Sequence, residues 1–193
     1  MHPTRDTAAL MRSVNRLLDM AKATSILIAI LFFTGWTSQS QTSVPPDTVI
    51  TLERIADAFN NGTEYRLTIN SDGTVVFKRF ANHFVDISDP RARASEPLQG
   101  RISIEKVAML LVEFERIKFS SLKDRYAKTE DGCPSVWTDA GGAEVSLTIN
   151  GKSKTVAHYH GCREENLSSP YPADLTQLEL KIDEAVNIQQ WLK

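Results

Sequence analysis

The sequence predicts an α+β domain: an antiparallel sheet built from two β-hairpins, with two helices, about 104–118 and 173–192, packed on it. Three observations carry this. Tyr65, Leu67 and Ile69 alternate with Arg66 and Thr68 ahead of a Ser71-Asp72-Gly73 turn. Val145, Leu147 and Ile149 alternate in the same way ahead of Asn150-Gly151. Alternation at period two marks a strand with one wet face, and Asn-Gly is the strongest short hairpin signal. Finally, two other stretches repeat apolar residues at helical spacing.

The elements follow in order. Val49-Ile50-Thr51-Leu52 reads as a short first strand, and Val75-Val76-Phe77 as the return strand of the first hairpin. Asn82 to Asp86 is an extension of that strand, and Ser88 to Pro97 a loop. Ser103 is placed to cap a helix, with Ile102 and Val107 at the staple positions on either side. Val107, Leu110, Leu111, Phe114 and Ile117 then form one apolar stripe. Phe119 to Leu122 breaks the helix, and Leu122 to Tyr126 is expected to add one further turn. A two-residue turn at Asn150-Gly151 sets Ile149 opposite Lys152 and Val145 opposite Val156, so the return strand runs from Lys152 to about His160. Pro170 and Pro172 mark the start of the last helix, whose inner face is Leu175, Leu178, Ile182, Ala185, Val186 and Leu192. Trp191 is expected to anchor it to the core.

Ahead of this domain (residues 49–193) lie a leader (1–40) and a polar, proline-ended spacer (41–48). Arg5, Arg12, Arg16 and Lys22 precede the apolar run Ile26 to Phe33, which lies in a charge-free stretch from Ala23 to Pro46. A basic flank, a short apolar run and small residues at Ser38 and Ser40 make a secretory signal, with cleavage expected before Gln41. Met1, Met11 and Met20 all fit as the start. The rival reading is an uncleaved anchor through residues 23–37, although a spanning helix needs about 20 apolar residues. No cysteine follows the run, which excludes a lipoprotein. On either reading the domain is exported, to the periplasm or outside the cell, and membrane association arises only through an uncleaved 23–37.

The chain is 24% charged and 41% hydrophobic with a net charge of −2. These values exclude a disordered chain or a multi-span membrane protein, and they give no pull towards nucleic acid.

A set of local patterns occurs in an order that resembles a known family. They are Leu52-Glu53-Arg54, Tyr65 to Val76 with its Asp72-Gly73, and Phe119 to Tyr126. Asn150 to Val156, His158-Tyr159-His160-Gly161-Cys162, Ile182-Asp183 and Trp191 follow. Over roughly residues 50–192 the chain is similar to the exported bacterial domain-of-unknown-function family numbered 6438. That resemblance implies fold and export, and no activity, because the family has none established. Many members carry a Cys-x-Gly-x-Cys-Pro-x-Tyr stretch before the first hairpin. Here the stretch from Ala56 to Tyr65 keeps only the tyrosine, so a property resting on that cysteine pair does not carry over.

The search for chemistry is mostly negative. The sequence has no dinucleotide or phosphate-loop glycine pattern, no nucleophile elbow, no His-Glu-x-x-His and no Cys-x-x-Cys. Cys133 and Cys162 flank the second hairpin, and in an oxidising compartment such a pair is expected to form a disulfide. The competing arrangement is metallic or redox. His158, His160 and Cys162 sit two apart on a strand and so share a face, with Cys133 as a fourth ligand for a tetrahedral ion. A disulfide excludes that set, because it consumes both thiolates. Glu130, Asp131 and Asp139 lack the alternating spacing of a calcium loop. Arg91 and Arg93 are read as solvated, His83 as isolated, and the Asn61 and Asn166 glycan patterns as chance. No catalytic residue and no cofactor is assigned. The sequence thus reads as a non-catalytic binding or structural module, with a metal or redox protein built on His158, His160, Cys162 and Cys133 as the alternative.

Overall fold

The computed structural model describes residues 43–56, 63–80, 94–164 and 170–192. The strands are β1 Val49–Ile55, β2 Tyr65–Asn70, β3 Thr74–Arg79 and β4 Leu98–Arg101, then β5 Arg125–Tyr126, β6 Ser135–Val136, β7 Gly142–Ile149, β8 Lys152–Tyr159 and β9 Cys162–Arg163. The helices are α1 Ile104–Arg116 and α2 Ala173–Val186. Together they make the α+β fold that the sequence predicts, with a sheet larger than two hairpins. Its order is β4-β3-β2-β1-β7-β8-β5, antiparallel except where β5 runs parallel to β8. The strands β6 and β9 form a separate antiparallel pair.

β1 is the seam. It pairs with β2 on one side and β7 on the other, and so joins the two hairpins into one surface. It runs to Ile55, three residues past the Val49–Leu52 stretch that the apolar pattern marks. The extension is masked in sequence because the next core-facing position after Ile50 and Leu52 is Arg54. Across the middle of the sheet Phe77, Leu67, Leu52, Val145 and Val156 stand side by side in register. All of them are fully buried under the helices. The opposite face carries Thr51, Thr68, Ser146 and Thr155 and is open or half-open to water. One wet face and one dry face are what the alternation dictates.

Ser103 caps α1, its Oγ accepting from the Lys106 backbone N–H at 3.4 Å. Val107, Leu110 and Phe114 are buried, and Phe114 meets Phe119 edge-on at 4.8 Å between ring centres. The helix stops at Arg116, since Ile117 caps it and Lys118 turns left-handed at φ 52°. Beyond it, Phe119–Ser121 forms a 3-10 turn, and Arg125–Tyr126 is extended, where one more helical turn is expected from sequence. β4 is a strand for which the sequence pattern gives no signal. Its side chains are exposed or half-exposed, so it carries no apolar alternation and joins the sheet through its backbone, with Arg101 reaching Asp72 and Thr74. The proposed extension at Asn82–Asp86 and most of the Ser88–Pro97 loop lie outside the described residues.

α2 buries Leu175, Leu178, Ile182 and Val186. It ends at Asn187, left-handed at φ 50°, and a 3-10 turn at Ile188–Gln190 follows in place of helix to 192. Trp191 packs on Phe77 with ring centres 5.7 Å apart, the anchor the sequence suggests. It lies so close to Gly100 that a Cβ there would stand 2.5 Å from the indole.

The two hairpin turns offer a graded test of this topology. Gly151 has φ 69° and open space around its missing Cβ, whereas at Gly73 (φ 81°) a Cβ would lie 2.2 Å from the Ile102 carbonyl oxygen. Gly151→Val should therefore cost only backbone strain, about 1–2 kcal/mol, or roughly 2–4 °C of melting temperature for each kcal/mol. Gly73→Ala must also move the chain entering α1 and should melt lower still. Thermal unfolding followed by circular dichroism checks the order; Gly73→Ala melting with the parent would contradict the packing of the first turn.

Candidate functional site

The row of core-facing positions next to the apolar one is polar. Running across the sheet in register it reads Arg79, Tyr65, Arg54, Ala143, His158 and Tyr126. Alternation from Ile50 and Leu52 forces Arg54 onto the core face, and alternation from Val156 does the same for His158. Over this row α2 lays Glu179 and Asp183, which share a helix face because they are four apart. The small Ala143 stands between Arg54 and His158 in the row.

These groups form one hydrogen-bonded cluster. The Arg54 guanidinium donates from Nη1 to Glu179 Oε2 at 2.5 Å. It also donates to Asp183 Oδ2 from Nη2 at 2.7 Å and from Nε at 3.2 Å. Tyr65 donates its hydroxyl to Asp183 Oδ1 at 2.7 Å. His158 Nδ1 lies 2.6 Å from Glu179 Oε1, and His160 Nε2 lies 2.9 Å from Glu179 Oε2. The other nitrogen of His158 faces the Tyr171 carbonyl at 3.1 Å. A carbonyl only accepts, so Nε2 carries a proton. Facing an ionised Glu179, Nδ1 donates as well. Arg54, His158 and His160 thus supply the hydrogen bonds that Glu179 accepts, and Arg54 and Tyr65 those of Asp183.

Burial and pairing oppose each other here. Glu179 and His158 have no exposed side-chain surface. Burial alone would raise the Glu179 carboxyl; hydrogen bonds from His158 and His160, with the charges of His158 and Arg54, outweigh it and hold the group down at about 2. For Arg54, burial favours the neutral form, but Asp183 and Glu179 more than reverse that and raise it. Burial and the facing Asp183 both push the Tyr65 hydroxyl up. The cluster therefore stays charged inside and its phenol stays protonated.

Of the residues singled out in sequence, the structure brings His158 and His160 together, with ring centres 5.0 Å apart, and bonds the two cysteines to each other. Cys133 and Cys162 are bonded to each other, both buried, 29 residues apart in sequence. The four-ligand set of two histidines and two cysteines is thus not available. Glu179 takes the place beside the histidines, with ligand-type atoms of the three within 4.8 Å of one another. The spacings suit protons better than a metal ion. Ligands at about 2.0–2.2 Å around a tetrahedral ion stand roughly 3.3 Å apart, whereas the contacts here are 2.6 and 2.9 Å. A cation would also have to compete with the Arg54 guanidinium on the same carboxylate. Asp131 is held by Arg125 at 2.9 Å, and Glu130 and Asp139 are exposed. Arg91, Arg93, His83, Asn61 and Asn166 lie outside the described residues.

Sequence reading misses Arg54, Tyr65, Glu179 and Asp183 as a group. Each nevertheless leaves a trace: a charge or hydroxyl on the core face of a strand, and two carboxylates in the α2 stretch that buries Leu175, Leu178 and Ile182.

Against the outer edge of the cluster opens a cleft of about 340 Å³. Arg54, Tyr65, His160 and Arg163 border it, together with the apolar Ile55 and Pro170. Arg163 lies over the Trp137 ring at 5.5 Å, and its Nε is buried with no hydrogen-bond partner among the described residues. No helix among the described residues is long and apolar enough to cross a membrane.

No curated protein matches the chain. A family model does match it, over residues 48–186, which takes in the seam strand, both hairpins, the charge cluster and both helices. The chain belongs to the family described as Domain of unknown function (DUF6438).

Proposed function

We propose that the protein is an exported, non-catalytic binding module whose ligand site is the cleft beside His160 and Arg163. One observation carries the binding reading: the charged cluster is saturated from within, while the cleft against it is bordered by Arg163, whose guanidinium pairs with no carboxylate among the described residues. Every carboxylate oxygen of Glu179 and Asp183 accepts at least one hydrogen bond from the cluster. Neither is left as a free base beside a nucleophile, and both thiols are consumed in a disulfide. The cluster acts as a clamp that fixes α2 on the sheet and so sets the wall of the cleft. Export rests on the leader, residues 1–40, with its basic flank and short apolar run, and a disulfide suits an oxidising compartment.

The test uses the full chain expressed with its own leader. N-terminal sequencing of the exported protein should begin near Gln41, or show the leader retained through 23–37 in a membrane fraction. Native mass spectrometry after exposure to a small-molecule extract should show a bound species that is recovered chemically unaltered. Full-length protein soluble in the cytosol would overturn export, and recovery of a converted product would overturn the non-catalytic reading.

A further inference from the structure

We infer that the cleft takes a small organic carboxylate, held by Arg163; this rests on the binding reading above and names the ligand class. The charge of the cleft is one-sided. Among the described residues its walls hold Arg54, His160 and Arg163 and no carboxylate. Arg54 is spent on Glu179 and Asp183, and His160 gives its Nε2 to Glu179. Arg163 is the cation left over. Its guanidinium lies over the Trp137 ring at 5.5 Å, and no carboxylate among the described residues pairs with it. A cation bordering an apolar cleft with no counter-charge favours an anion beside it. A planar two-oxygen anion in the cleft matches the terminal Nη1–Nη2 edge of this guanidinium, because such an edge donates two parallel hydrogen bonds to a carboxylate.

The walls also set the ligand's size and body. The volume of about 340 Å³ is at the small end of ligand clefts, which run from about 300 to 1,000 Å³. Beside the cation lie Ile55, Ala56, Ala140 and Pro170, with backbone at Gly141 and Gly142. The site therefore fits one charged head on a short apolar body. One uncommitted cation also favours a singly charged carboxylate over phosphate, which carries more charge.

Benzoate, benzamide and inorganic phosphate are the probes, titrated by calorimetry into the mature protein and into Arg163→Gln and Arg163→Lys. Benzoate should bind, with benzamide and phosphate at least about 10-fold weaker. Arg163→Gln should lose benzoate by a similar factor while keeping its melting temperature, and Arg163→Lys should fall between, having charge without the fork. Benzamide binding as well as benzoate, or Arg163→Gln keeping full affinity, would overturn the carboxylate assignment and leave the binding reading standing. Phosphate binding more tightly than benzoate would replace the ligand class. If none of the probes binds, the assignment fails; if the extract experiment above also gives no bound species, the binding reading falls with it.

Discussion

Glu179→Gln is expected to destabilise the domain by about 3–5 kcal/mol, the usual cost of removing one partner from a buried ion pair. At roughly 2–4 °C for each kcal/mol in a chain of this size, that is a fall of about 6–20 °C in melting temperature. The cause is a mismatch of donors. His158, His160 and Arg54 all donate to this one carboxylate. An amide offers one accepting oxygen and presents N–H groups where the other oxygen stood, so at least one donor meets a donor. Arg54 keeps Asp183 but loses one of its two carboxylate partners, and the fully buried His158 loses the carboxylate it faces. His160→Gln should cost far less, because His160 is 23% exposed and water can replace its bond. Acid should act through the same carboxylate. Its folded value of about 2 lies below its ordinary 4.5. The stabilisation is then fully present above pH ~4.5 and is lost as pH falls from there towards 2, about 3 kcal/mol in all. Arg54 from β1 and His158 and His160 from β8 and its end are the groups that face it, with Asp183 on the same helix. Urea unfolding at pH 6, 4 and 3 measures this, and Glu179→Gln should remove most of the slope between pH 4 and 3. A cost under about 1 kcal/mol for Glu179→Gln, with the acid slope unchanged, would show that the cluster does not hold α2 in place.

The fold was readable because its signals are local. Asn150-Gly151 fixes the register of the second hairpin, and the observed pairs Ile149 with Lys152 and Val145 with Val156 are those the turn dictates. Ser103 and the stripe from Val107 to Phe114 place α1 in the same way. What was not readable was carried by backbone or by distance. β4 joins the sheet without an apolar side-chain pattern, and β5 is two residues long. The seam role of β1 depends on β7, which lies about ninety residues further along. The charge cluster hid for a related reason. Sequence patterns treat a charge as a vote for the surface, yet Arg54 and Glu179 are core residues that satisfy each other across 125 positions. His158 and His160 were visible as a pair on one strand face, but their partner was not, since nothing near them in sequence names Glu179. The two sulfurs were nearer in logic than in sequence: a hairpin between them brings their flanks together.

Replacing Cys133 and Cys162 together by alanine is expected to cost about 3–4 kcal/mol, from the chain entropy that a cross-link across 29 residues removes from the unfolded state. Alanine is chosen because both positions are buried, and serine would add hydroxyls that need partners. The effect should concentrate where the bond acts. Cys162 begins β9, which pairs with β6, and its carbonyl accepts from the Tyr171 N–H just ahead of α2. Tyr171 in turn accepts from His158. Loss of the cross-link thus loosens the strand that carries Arg163 and one end of the charge cluster together. Hydrogen exchange in the double variant should rise first at Ser135, Val136, Cys162→Ala and Arg163, before the centre of β1. Alkylation of the denatured native protein should label no sulfur without reductant and two after it. Metal analysis should show the same content with and without the substitutions, because the histidines are committed to Glu179. Two free thiols in the native protein, with an equivalent of zinc lost on substitution, would reverse this: His158 and His160 would then be ligands, and the metal reading of this end of the sheet would replace the clamp.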